Sequence, residues 1–324
     1  MDYPNHDDLV RKLGDPDPNN RQLALMELED VAGEESVPPL IATLNDSDPV
    51  VRRLAIALLE ELGDARAVPG IIASLLDSDA AVRDAASAAL RDFRGEAAAF
   101  HMLEAIHHYH PEVRRAVIIG LRELKDPRSV KPLLEALLDP APAVRREAVI
   151  TLAYLRLPES VSPLRRLLGD PDESVRRVVV GALGYFIGPA LLTDFQSALS
   201  DADWRVRVEA AIVLGRSALT GAIPNLRAAL ADPYWQVQKE SITSLGRLAA
   251  TGAIPELLDF TQSPLADLRR AAAYALGELR SPRATQALRA LASDPDVEVR
   301  KAAAHALEAI AKASPAFSAT DQEN

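Results

Sequence analysis

An arginine recurs every 31 residues along this chain, at Arg21, Arg52, Arg83, Arg114, Arg145, Arg176 and Arg207, and again at Arg269 and Arg300. Only Gln238 interrupts the column, with a polar side chain that still hydrogen-bonds. Seven residues after each position stands a leucine, from Leu28 to Leu307. Six residues before it the chain reads Asp15, Asp46, Asp77, His108, Asp139, Asp170, Asp201, Asp232, Ser263 and Asp294. Ten copies without insertion or deletion are hard to reconcile with a globular fold of unique long-range contacts. They predict a solenoid, in which each unit buries its apolar face only by stacking on the next.

Each unit reads as two antiparallel helices. In the third, Val68 to Leu76 is followed by a turn at Asp77-Ser78-Asp79 and a second helix from Ala80 to Phe93. Apolar or small residues at Val82, Ala85, Ala86, Ala89 and Leu90 follow helical spacing. The turn aspartate is placed to accept the free N–H groups of the second helix. Proline near the start of the first helix (Pro38, Pro69, Pro132, Pro163, Pro224, Pro255) loses no hydrogen bond there. Gly63 and Gly95 are expected to close second helices. The alanine-rich last helix, Val297 to Ala311, reads as a cap, and residues 314–324 as a disordered tail after one solenoid spanning 1–313.

The recurrent acid and base have a structural reading. Arginine can bridge to the turn aspartate of its own or a neighbouring unit, a ladder formed by Asp46, Arg52, Asp77, Arg83, Asp139, Arg145, Asp170, Arg176, Asp201 and Arg207.

Composition narrows the chemistry. A net charge of -11 argues against a protein that mainly coats nucleic acid or anionic lipid. The absence of cysteine excludes disulfides, thiolate metal sites, cysteine nucleophiles and thioether attachment of a cofactor, and suits a reducing compartment. No apolar run approaches the length of a membrane span and Met1-Asp2-Tyr3-Pro4 has no apolar signal core, so a cytoplasmic protein is expected. Phosphate-binding glycine loops, nucleophile triads and paired-carboxylate pockets are not recognisable.

The motif Asp-x-Asp-Pro-x-Val-Arg, followed by a leucine-rich helix and Gly63-Asp64-Ala65-Arg66-Ala67-Val68-Pro69, resembles the HEAT family, and more narrowly the HEAT-like repeats of phycobilisome bilin lyases. The resemblance covers Asp7 to Lys312 and implies a right-handed α-solenoid of about ten HEAT-like helix pairs, with the second helices lining the concave side. It implies either a non-catalytic scaffold for another protein or a bilin lyase or lyase-like chaperone that transiently binds bilin. A branch resembling deoxyhypusine hydroxylase holds iron through His-Glu dipeptides; this chain has none.

Positions one, five, eight and nine after the arginine column share a helix face opposite the leucines. The ninth position runs from acids at the start through Tyr154 and Tyr185 to Arg216 and Arg247. The first supplies Arg146, Arg177, Lys239 and Arg270; Tyr274 and His305 stand at the fifth. Glycines at the eighth (Gly184, Gly215, Gly246, Gly277) imply close packing or room for a partner. Together these predict a groove over repeats five to nine for an acidic or aromatic partner segment, anchored by Arg146, Tyr154, Arg177, Tyr185, Arg216, Lys239, Arg247, Arg270 and Tyr274. The bland alternative is a solvated face with small residues chosen for curvature. Trp204 and Trp235, 31 residues apart, would be neighbours on the turn ridge, as a contact patch or as covers for adjacent helices. His101, Glu104 and His108 have the spacing of one helix face and are the one metal-like cluster, though merely exposed turn residues explain them as well. A HEAT-like nucleic-acid binder would need the basic column to grip phosphates, which the acidic total opposes. The sequence leaves the oligomeric state open.

Overall fold

The computed structural model describes residues 5–313, and among these the regular structure is helical, in ten pairs. The chain forms two compact units, one up to Pro163 and one from Leu164. The first contains α1 (His6–Lys12), α2 (Pro18–Leu28), α3 (Val37–Thr43), α4 (Pro49–Leu62), α5 (Val68–Ser74), α6 (Ala80–Ala89), α7 (Gly95–Ala105), α8 (Pro111–Leu124), α9 (Val130–Ala136) and α10 (Pro142–Leu155). The division falls within α11 (Val161–Arg166). The second unit continues with α12 (Glu173–Leu183), α13 (Leu192–Ala198), α14 (Trp204–Arg216), α15 (Ile223–Ala228), α16 (Trp235–Arg247), α17 (Ile254–Asp259), α18 (Ala266–Glu278), α19 (Thr285–Leu291) and α20 (Val297–Ala313). The expected tail at 314–324 lies outside the described residues.

Second helices pack side by side, α2 on α4 on α6 and α8 on α10 in the first unit, and α12 through α14, α16 and α18 to α20 in the second. The leucine column is the spine of each core. Every member from Leu28 to Leu276 is fully buried, and burying such a side chain stabilises by about 1.5–3 kcal/mol. Leu307, in the terminal helix, is only half-buried.

Local signals set the helix ends. The second aspartate of the turn is the N-cap: Asp48 Oδ1 accepts the N–H groups of Val50 and Val51 at 2.9 and 3.0 Å. Asp79 and Asp172 do the same for α6 and α12. Gly63 closes α4 in the left-handed region at φ +62°. Gly95 does not close α6, which ends at Ala89; it is the first residue of α7, at φ +88°. At the place equivalent to Gly63, the chain uses Lys125, Arg156, Ala218, Ala249 and Arg280, all with φ between +49° and +55°. The stacked neighbours hold these residues in a conformation that costs a side chain roughly 1 kcal/mol.

The ladder runs in a defined direction. Arg52 Nη1 donates to Asp46 O of its own turn at 2.7 Å, while Nε and Nη2 donate to both carboxylate oxygens of Asp77 in the next repeat at 2.7 and 2.6 Å. Arg114–Asp139, Arg176–Asp201, Arg207–Asp232 and Arg269–Asp294 repeat this two-pronged bridge, and Arg21 reaches Asp46 through Nη2 at 2.6 Å. The same carboxylate shapes its own turn, since Asp77 Oδ1 accepts the N–H of Asp79 at 2.8 Å. The Arg52 guanidinium therefore holds the Asp77 carboxyl below its ordinary range, and Arg269 does so for Asp294. Two joints differ. Gln238 keeps the bond to its own turn, Asp232 O at 2.8 Å, and faces Ser263 in place of an aspartate. Arg83 keeps its bonds to Asp77 O and Ser78 O at 2.7 and 2.9 Å, but the residue 25 further on is His108.

The eighth-position glycines prove to be packing sites. A Cβ on Gly215 would meet Ser244 Cα at 2.9 Å, on Gly246 it would meet Ala275 Cα at 2.8 Å, and on Gly277 Ala306 Cα at 2.8 Å. α14, α16, α18 and α20 thus touch nearly backbone to backbone, with Ser244 Oγ donating to Ala211 O at 2.7 Å across one joint. Of the two explanations offered by the sequence, close packing applies at these three, not space left for a partner.

Two contrasts follow for stability. Arg52→Ala, which leaves Asp77 without its cation in a largely dry joint, should cost about 2–3 kcal/mol in urea unfolding. Arg83→Ala should cost well under about 1 kcal/mol. Gly246→Ala should cost about 1–3 kcal/mol through overpacking against the α18 backbone, whereas a Cβ at Gly169 meets nothing within 4 Å, so Gly169→Ala should leave the midpoint nearly unchanged.

Candidate functional site

The predicted anchors fall in both units. Arg146 and Tyr154 belong to the first. Arg146 is half-buried, and exposed Tyr154 carries the Lys125 ammonium 5.2 Å from its ring centre. The other seven stand on second helices of the second unit or, for Tyr185, in the short turn that follows α12.

These seven differ in how they are held. Tyr185 is 65% exposed and Tyr274 45%. Arg177, Arg216 and Arg247 are exposed, and none forms an ion pair within 4 Å among the described residues. Lys239 and Arg270 are half-buried and locally neutralised, by Glu240 at 3.2 Å and Asp267 at 2.6 Å. The face therefore offers three cations without a bound carboxylate, spaced one repeat apart from Arg216 to Arg247. Between Arg177 and Arg216 lies Glu209, two residues beyond the arginine column. Burial pushes its carboxyl up, against the pull of both arginines. Glu209 was not singled out in the sequence because its column is otherwise mostly apolar, though its charge on a half-buried stripe was a usable signal.

Arg247 and Tyr274 meet in one place. They line an open depression of about 490 Å³ with Gly246, Gly277, Glu278, Arg280 and His305. The Tyr274 and His305 rings lie 6.4 Å apart at a tilt of 58°, so His305, at the same column position as Tyr274 one repeat later, is part of this face. The depression is polar-rimmed and shallow, suited to a side chain of a partner and not to enclosing a small molecule.

Trp204 stacks on Tyr234 of the following repeat, with ring centres 5.6 Å apart and planes 12° from parallel, and not on Trp235. Tyr234 in turn lies under the Arg207 guanidinium at 5.5 Å. Tyr234 takes the N-cap position that Asp203 fills one repeat earlier, and a bulky ring there reaches back along the stack further than the indole one residue later. Trp235 remains 37% exposed.

The histidine cluster does not converge. His101 Nδ1 is 3.8 Å from Glu104, while His108 Nδ1 accepts the backbone N–H of His110 at 3.1 Å, closing its turn as an aspartate does elsewhere. Among the described residues no three His, Asp or Glu groups are placed to hold a metal ion, and no helix is long and apolar enough to cross a membrane.

A family model for HEAT repeats matches residues 7–91, 100–184, 166–238 and 223–308. No curated protein sequence matches significantly. Among solved structures, Kap95p bound to RanGDP gives a TM-score of 0.69 at 15% identity, over 97% of this chain and 50% of that one. The Escherichia coli protein YibA gives 0.52 at 17% identity, over 90% and 97%. An engineered protein gives 0.50 at 20% identity, over 94% and 98%. At such identities the likeness is one of fold, and the chain spans about half the length of the Kap95p structure. With repeat matches over most of its length and the helix pairs to go with them, this chain belongs to the HEAT-repeat family.

Proposed function

We propose that the protein is a non-catalytic scaffold that captures another protein on the exposed face of its second helices, centred in the second unit on Arg177, Tyr185, Arg216, Arg247 and Tyr274. The observation that carries this reading is the contrast between two sets of arginines on the same helices. Those of the ladder are bound bidentately to carboxylates. Arg177, Arg216 and Arg247 are exposed, have no ion-pair partner among the described residues, and stand beside exposed tyrosines. Tyrosine and arginine are the side chains that most often dominate protein–protein binding energy. Kap95p, similar in fold, is known in structures with RanGDP and with Nup1, which supports partner capture as a use of this architecture.

The bilin-handling alternative would use the same arginines to take propionates. A tetrapyrrole needs most of its surface enclosed, and the open depression beside Tyr274 gives that reading no specific support. Nucleic acid is disfavoured by the excess of 47 acidic over 36 basic residues.

The test is affinity capture from the source cell with the wild-type protein and a variant carrying Tyr185→Ala, Arg216→Ala, Arg247→Ala and Tyr274→Ala. The variant should keep its helical circular dichroism and unfolding midpoint but lose the partner, with affinity reduced about 100-fold or more if two of the four are anchors. Undiminished capture would place the binding surface elsewhere.

A further inference from the structure

The joint at His108 lacks the carboxylate that completes the rungs at Arg21, Arg52, Arg114, Arg176, Arg207 and Arg269, and its arginine is nevertheless held as the others are. Arg83 Nη1 is fixed to Asp77 O and Ser78 O at 2.7 and 2.9 Å, as Arg52 Nη1 is to Asp46 O and Ser47 O at 2.7 and 3.3 Å. At Arg52 the remaining edge, Nε and Nη2, grips Asp77 and the residue is 9% exposed. At Arg83 that edge has no acceptor among the described residues, and the residue is exposed. His108 cannot supply one. Its Nδ1 already accepts from His110 N–H, which in the neutral ring leaves Nε2 as a donor, so donor would face donor. Beside it, Tyr109 is 81% exposed.

We propose that Arg83 is a docking point for a carboxylate side chain of a bound protein, taken through Nε and Nη2 in the bidentate manner the chain uses internally at its other joints. The guanidinium is already oriented by its own turn, so little of its freedom is lost on binding, and the planar fork matches a carboxylate. Aspartate stands at the His108 position in eight of the ten repeats, so the ligand replaces a group whose fit is demonstrated within the chain. This site lies on the turn edge of the first unit and does not depend on the face proposed above for the second.

The experiment is a titration of the full chain with acetate, the minimal carboxylate, at constant ionic strength, following the arginine Nε–Hε resonances by NMR; the Arg83 signal is assigned by its loss in Arg83→Lys. The Arg83 resonance should move saturably while that of Arg52 stays still. His108→Asp, which restores the internal carboxylate, should abolish the response and raise the urea midpoint. An unresponsive Arg83 in the wild-type protein, or an equal response in His108→Asp, would overturn the proposal. A saturable response to inorganic phosphate without one to acetate would overturn the carboxylate assignment.

Discussion

At most joints one guanidinium ties the turns of two successive repeats together, and the stacking of those repeats depends on it. Nη1 closes the turn at the start of its own second helix, and the Nε–Nη2 edge closes onto the aspartate that shapes the next turn. The aspartate is itself spoken for by a backbone N–H. Any slip of one repeat against its neighbour breaks a charge-assisted pair and a turn at once. Leucine burial supplies most of the stabilisation but tolerates rotation about the stack; a planar fork on a carboxylate does not.

Where the bridge is fixed, the rest of the second helix is released for other purposes. In the second unit this freedom is used in two opposite ways on adjacent positions. Position eight is reduced to glycine at Gly215, Gly246 and Gly277, which brings helix backbones together. Position nine carries long exposed side chains at Arg216 and Arg247. Close packing makes the exposed row rigid and its spacing regular, which is what a binding surface of few anchors requires.

Period, helix pairing and leucine spine were all legible in the sequence, because a fixed 31-residue step with helical apolar spacing admits few other folds. The direction of the ladder was not: an arginine six residues after one aspartate and 25 before another can satisfy either, and here it satisfies both through different nitrogens. Glycine was harder still. Gly95 opens a helix instead of closing one, and left-handed closure falls to Lys125, Arg156, Ala218, Ala249 and Arg280, since stacking can override the local preference of a side chain. Tyr234 was hidden by its neighbour, the rarer tryptophan drawing attention to Trp235 while the tyrosine makes the stacking contact. Of the site, residue types and columns were readable; which arginines are paired was not, because an acid one helical turn earlier does not settle it: Asp267 binds Arg270, whereas Glu173, one turn before Arg177, binds Arg205 instead.

The measurement that bears most directly on this account is a double-mutant cycle on Arg114 and Asp139, two partners on successive repeats of the first unit, by urea unfolding of the wild type, Arg114→Ala, Asp139→Ala and the double variant. The part each side chain plays in its own turn cancels in the cycle, leaving the bridge between repeats. A coupling of about 1.5 kcal/mol or more is predicted for a bidentate, mostly buried pair. Additivity of the two substitutions to within about 0.5 kcal/mol would contradict the claim that this bridge sets how the repeats stack.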